Sequence, residues 1–202
     1  MSKAVITPGQ GFFAPGYQPR QVILEDGSRE VSTAATMQFV QGFPLAMDGA
    51  TTDQGKLKSV TDAATDVFYG VNTLNVNTLR GRTSLGEFTT NRTGAVLQGI
   101  VTVRRSVFQD ASSTSNPEVT VSPFTGFAGT NGFPVATDIG KTVDAIEVTS
   151  ESTLGSVAIL KWGVGGGSDT GFADVAVILD VRENDEVDLW LPGKIVNRTT
   201  SV

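Results

Sequence analysis

Ala95-Val96-Leu97-Gln98-Gly99-Ile100-Val101-Thr102-Val103 is the longest strand signal in the chain. Its β-branched and aliphatic residues favour extended backbone, because branching at Cβ is crowded in a helix and fits a pleated surface. Gly99 in the middle marks a bulge or a close approach of another backbone. Shorter signals of the same kind flank it. Val22-Ile23-Leu24 stops at the Asp26-Gly27 turn, and Asp-Gly is a hairpin signature. Further runs fall at 37–40, 56–60, 67–71, 118–121, 143–148, 156–162 and 174–181. Only residues 59–65 hint at a helical period, with Asp62 and Asp66 four apart. The expectation is an all-β protein of short strands joined by Gly, Asn and Asp turns.

The bulk numbers agree and remove much chemistry. The chain has 202 residues, 23 Gly, no Cys, no His and a formal charge of −6. That length suits one domain or two small ones and buries about 70% of the unfolded surface. Lacking His and Cys, it has no imidazole base, no thiolate nucleophile and none of the usual zinc, haem or iron–sulfur ligands. Disulfides are impossible, and so is an imidazole charge switch near neutral pH. No apolar run reaches the roughly 18 residues of a membrane helix. Pro8, Gly9 and Gly11 stand where a signal peptide would carry its apolar core, so no export signal is expected. A pI near 4.6 argues against bulk nucleic-acid binding.

Residues 1–21 differ from the rest. Pro8, Pro15 and Pro19 with Gly9, Gly11 and Gly16 interrupt helix and ladder alike, yet Val5, Ile6, Phe12, Phe13 and Tyr17 are apolar. Burying those five side chains yields about 8–15 kcal/mol, whereas fixing twenty backbones costs on the order of 20–40 kcal/mol. An extended N-terminal arm of this kind orders only against a docking surface. Residues 22–202 form the body, with possible similar halves at about 22–110 and 117–202, linked through the polar stretch 110–117.

The halves are suggested by an internal echo. Gly42-Phe43-Pro44-Leu45-Ala46-Met47-Asp48 returns as Gly132-Phe133-Pro134-Val135-Ala136-Thr137-Asp138. This predicts a duplicated β-unit or two similar corners, with Phe43 and Phe133 packed inward and Pro44 and Pro134 each starting an edge segment.

Chemical sites are sparse. Gly163-Val164-Gly165-Gly166-Gly167-Ser168 lacks the Lys-Ser/Thr ending and following helix of a phosphate loop, and reads as a hairpin tip between two strands. Asp180, Glu183, Asp185, Glu186 and Asp188 match no calcium loop and read as a solvated acidic turn. Paired carboxylates could serve glycoside hydrolysis without His, but spacing along the chain does not single out a pair. No catalytic residue, metal site or cofactor is assigned, and the chain is expected not to be an enzyme. Charge is uneven: Arg80, Arg82, Arg92, Arg104 and Arg105 face Glu87 alone within 80–105, and six acids face Arg182 within 174–188. Two such patches of opposite sign would suit contacts between subunits.

The echo and the strands around it resemble the head decoration, or capsid cement, proteins of tailed bacteriophages. The residues that carry this are Gly42 to Asp48, Gly70-Val71, Gly94 to Val103, Gly132 to Asp138 and Asp174 to Asp180. The resemblance implies a β-barrel or a β-tulip or sandwich body and a structural virion protein, made in the host cytoplasm and bound to the outer surface of the capsid, with the two echoed corners as candidates to line a trimer interface. Its partners would be the major capsid protein and itself, as a homo-oligomer that is usually a trimer, with no nucleic acid and no membrane. Phe12, Phe13, Tyr17 and Arg20 are then the expected coat-facing anchor, with Arg80 and Arg82 at a capsid or subunit interface. Two other readings stay open. One is another virion β-protein of the tail tube or fibre base. The other is a carbohydrate-binding β-module built on Trp162, Trp190, Tyr17 or Tyr69.

Overall fold

The computed structural model describes residues 20–23, 40–49, 57–60, 66–73, 92–109, 118–152, 157–164 and 171–193. Phe12, Phe13, Tyr17, Arg80 and Arg82 lie outside these residues, as do most of 59–65 and 110–117. Thirteen strands are described: β1 (Arg20–Ile23), β2 (Pro44–Met47), β3 (Leu57–Lys58), β4 (Val67–Asn72), β5 (Arg92–Val96), β6 (Gln98–Arg104), β7 (Ser106–Gln109), β8 (Glu118–Val121), β9 (Phe124–Thr125), β10 (Thr142–Glu151), β11 (Val157–Gly163), β12 (Gly171–Arg182) and β13 (Glu186–Pro192). The fold is all-β, as the composition implied.

The strands make a five-stranded sheet, β1-β5-β4-β2-β3, a six-stranded sheet, β6-β13-β12-β10-β11-β9, and a separate β7–β8 ladder. The two large sheets share one core rather than closing into a barrel. Ala46, Phe68, Val71 and Val96 of the first pack in one buried cluster with Val101, Trp162, Phe172, Ile178 and Leu189 of the second. Phe68 meets both Trp162 and Phe172 edge to face, with ring centroids about 6 Å apart. This geometry suits the aromatic quadrupole. Leu160 also donates its N–H to the Ser59 carbonyl at 2.7 Å, a backbone link from β11 to the end of β3.

The long run from Ala95 to Val103 is not one strand. It breaks at Leu97, and β5 belongs to the first sheet while β6 belongs to the second. Every described strand before that break lies in the first sheet and no described strand after it does. A single continuous segment therefore feeds both layers. Gly70 is what lets β4 lie against its end. Gly70 has φ +147°, and a Cβ there would stand 2.2 Å from the Val96 carbonyl oxygen. Gly70→Ala must push β4 away from β5, so we expect a loss of more than the roughly 1–3 kcal/mol typical of backbone strain alone. A denaturant melt of the variant measures it.

The two echoed corners share their beginnings and then diverge. Gly42 and Gly132 both take positive φ, +86° and +73°. Phe43 and Phe133 are both buried, as expected. Pro44 opens β2 and pairs with Val71. Pro134 opens no strand, because a 3-10 turn, Ala136–Asp138, follows instead. There Asp138 turns back and accepts the Val135 N–H at 2.8 Å, which closes the chain locally and removes it from any ladder. With both Phe rings inside the protomer, neither can line a trimer interface.

Candidate functional site

The outward face of β6, β13 and β12 is where the described surface departs most from an ordinary polar exterior. In β13 the residues alternate: Val187, Leu189 and Leu191 point into the core, while Asp188 and Trp190 point away from it. Register carries that alternation across the sheet. Trp190 stands opposite Ile100 on β6 and Val177 on β12. A bulge between Ile178 and Asp180 adds Leu179 as an extra residue, which turns a leucine outward. Trp190, Ile100 and Leu179 are 45%, 41% and 41% exposed. Large apolar side chains gathered on one sheet face are the usual mark of a contact surface, whereas scattered ones are not.

An ion-pair network frames this row on one side. Two pleats along from Trp190, Arg104, Glu186 and Arg182 lie side by side on the three strands. Arg104 pairs with Glu186, and Arg182 pairs with Glu186, Asp188 and Asp180. Thr102 donates its hydroxyl to Asp188 at 2.6 Å. The Glu186 hydrogen bond, aided by the charge of Asp188, holds the Arg182 guanidinium still more firmly protonated than usual. Arg105 pairs with Asp185 at 2.9 Å and lies 5.1 Å from the Phe133 ring centroid, within cation–π range.

These contacts correct the expectation of two opposed charge patches. Arg104 and Arg105 are not a patch apart from the acids, because β6 pairs antiparallel with β13 and brings them onto Glu186 and Asp185 of the same chain. Asp180, Glu186 and Asp188 likewise belong to strands, and only 183–185 form the turn. The Gly-rich segment after Gly163 is not a hairpin tip either. β11 and β12 do not pair; they flank β10 on opposite sides.

The remaining sequence candidates separate clearly. Arg20 lies in β1, opposite Ala95 of β5, so the segment before it leaves from an edge strand of the first sheet. Gly42, Phe43 and Pro44 form an internal corner rather than a site. Gly42 donates to the Asn72 carbonyl, and the Trp162 indole N–H donates to the Gly42 carbonyl at 2.8 Å. Trp162 is fully buried and serves no glycan platform, while Tyr69 packs against the small cluster of Leu45, Leu57 and Ala95. Of the proposed platform residues, Trp190 alone is described as exposed. Ile100 and Leu179 were not anticipated as surface residues. Period two along 98–103 placed Ile100 opposite Val101, but a bulge in another strand leaves no such signal for Leu179.

Two carboxylates at other places have shifted protonation. Lys141, Thr142, Asp144 and Asp174 line a groove where β10 and β12 fall out of register. Burial pushes the Asp144 carboxyl up, against the pull of the Asp174 N–H that it accepts at 2.8 Å, and the Asp174 charge adds to the rise. Asp138 is shifted the other way, first by the Lys141 hydrogen bond at 2.7 Å and then by the Val135 N–H. A lowered folded value means that the unfolded chain binds the proton more readily. The stabilisation from Asp138 is therefore complete above the ordinary carboxylate value of 3.8 and disappears as pH falls through the folded value. Asp138→Asn should lower the denaturation midpoint at about pH 6, and the gap to the parent should close on titration to about pH 2. A gap that persists unchanged in acid would contradict the assignment.

No family model, curated protein or solved structure matches the chain.

Proposed function

We propose that this protein is a structural component of a tailed-phage virion, a decoration protein that binds the outer surface of the head and bridges coat subunits. The observation that carries the reading is the Trp190–Ile100–Leu179 row with its frame of internally paired charges. Apolar anchors flanked by ion-paired groups fit the anatomy of a protein-binding face. Charges that are already paired within the chain need not be stripped of water unpaired when a partner arrives. The second contact is the segment before β1. Nineteen residues with Phe12, Phe13 and Tyr17 reach at most about 60 Å when extended, enough to clasp a neighbouring subunit. A homotrimer would combine three such faces and arms, so modest single contacts add through effective concentration. The protein performs no catalysis in this reading.

Co-sedimentation with expanded phage heads stripped of their decoration tests it. The full chain is expected to stay a small soluble oligomer alone and to pellet saturably with heads. Removal of residues 1–19, which stops short of β1, should lower occupancy at least about tenfold if avidity links arm and body. Rings or tubes formed by the protein alone would favour the tail-tube reading. The exposed Trp190 also favours a glycan-binding module as the second reading, and glycan-array hits abolished by Trp190→Ala would replace the first.

A further inference from the structure

A cation and two carboxylates are enclosed at one end of the five-stranded sheet, away from the outer face of β6, β13 and β12. Lys58, Asp48 and Asp66 are 3%, 4% and 0% exposed. Lys58 Nζ lies 2.9 Å from Asp66 Oδ2 and 3.7 Å from Asp48 Oδ2. The sheet order explains the meeting. Lys58 ends β3, Asp48 follows the last residue of β2, Asp66 immediately precedes β4, and β2 lies between the other two. Lys58 stands opposite Ala46, which stands opposite Phe68. Both of those partners belong to the main core cluster, so the ammonium is held on the core side of the sheet. Asp48 and Asp66 each lie two residues from that row, one pleat further along. The Gly49 N–H reaches Asp66 Oδ1 at 3.4 Å, which leaves Oδ2 turned to the lysine.

A buried ion pair gains little stability over well-packed apolar residues, because both ions lose their hydration. Three such groups in a chain without cysteine invite a chemical role. We infer that Lys58 and Asp66 condense into an intramolecular amide, with Asp48 as the proton relay. The reaction requires one ammonium proton to pass to Asp66, which gives the free amine and the carboxylic acid. Nζ then attacks Cγ of Asp66, forming the C–N bond. Asp48 takes one proton from the nitrogen and delivers it to the departing hydroxyl, which leaves as water. The ammonium and the carboxylate give one amide and one water, so no oxidant, nucleotide or other co-reactant is needed. Nζ lies 2.9 Å from Oδ2, the oxygen bonded to the carbon it attacks, and fixed proximity of that kind replaces part of an activation barrier. The bond would join β3 to the start of β4 across the end of β2, a covalent staple where disulfides are impossible. The inference does not rest on the capsid reading.

The full-length, folded protein is incubated at neutral pH, then denatured and weighed by intact mass spectrometry. The expected result is a mass lower than the sequence mass by one water. Dehydration at Asp48-Gly49 alone would give the same mass, so trypsin supplies the second readout. Amide-linked Lys58 is no longer cleaved, and residues 57–80 should remain one internally closed peptide that is one water light. Asp66→Ala and Asp48→Ala should both restore the full mass and cleavage after Lys58. A folded parent at full mass, with Lys58 cleaved, overturns the inference, as does a closed peptide in Asp66→Ala. Unchanged closure in Asp48→Ala overturns the relay.

Discussion

Trp162→Ala should remove most of the stability of the fold. The side chain is fully buried between the sheets, touches Phe68 edge to face and gives its indole proton to the Gly42 carbonyl. Truncating a buried Trp to Ala costs about 3–5 kcal/mol in lost contacts and cavity. Leaving the Gly42 carbonyl unpaired adds about 1–3 kcal/mol. Domains of this kind hold only about 5–15 kcal/mol in total. Trp162→Phe goes far towards separating the two contributions, since it keeps a ring against Phe68 while it loses the hydrogen bond and the smaller part of the packed volume. Urea midpoints should therefore rank parent, Phe and Ala in that order, with the larger step between Phe and Ala. Equal midpoints for Phe and Ala would mean that the hydrogen bond, not the packing, joins the layers.

Trp190 should behave in the opposite way. At 45% exposed it contributes little to folding, so Trp190→Ala should leave the urea midpoint within about 0.5–1 kcal/mol of the parent. Its effect should fall on binding. Truncating an aromatic anchor at the centre of an interface costs about 2 kcal/mol or more, which is about thirtyfold in affinity. Ile100→Ala beside it should weaken head binding less, and Arg182→Ala should act mainly on stability, through the ion pairs with Glu186, Asp188 and Asp180 that it removes. Titrating each variant into stripped heads and measuring bound protein gives the ranking. A Trp190→Ala protein that binds heads as the parent does would place the contact elsewhere.

The strand content was legible in the sequence wherever β-branched residues clustered. The runs at 67–71, 118–121 and 143–148 fall within strands β4, β8 and β10, and residues 157–162 of the next run fall within β11. What stayed hidden has physical causes. β13 was read as an acidic turn because Glu186, Asp188 and nearby Glu183 and Asp185 dominate its composition. The period of two in Val187, Leu189 and Leu191 was the stronger signal, and Arg104 and Arg182 on neighbouring strands make its acids tolerable in a ladder. Pro44 was read as the start of an edge segment, whereas β2 lies between β4 and β3, which is possible because Pro at a strand's first residue loses no ladder bond. The break at Leu97 depends on which sheet each half of the segment joins, which local composition does not encode. For the same reason the Arg and acidic patches were separated along the chain but meet across β6 and β13. The candidate site was half visible. Trp190 was singled out as an aromatic, but its company came from register and from a bulge between Ile178 and Asp180.

The central claim is that the protein occupies fixed positions on the outside of a phage head. Electron microscopy of stripped, expanded heads saturated with the full chain, reconstructed with icosahedral averaging, tests it most directly. The account predicts discrete density on the outer lattice at full occupancy, with the Trp190 face turned to the coat and the N-terminal segment reaching an adjacent subunit. Bare heads at saturating protein would contradict it.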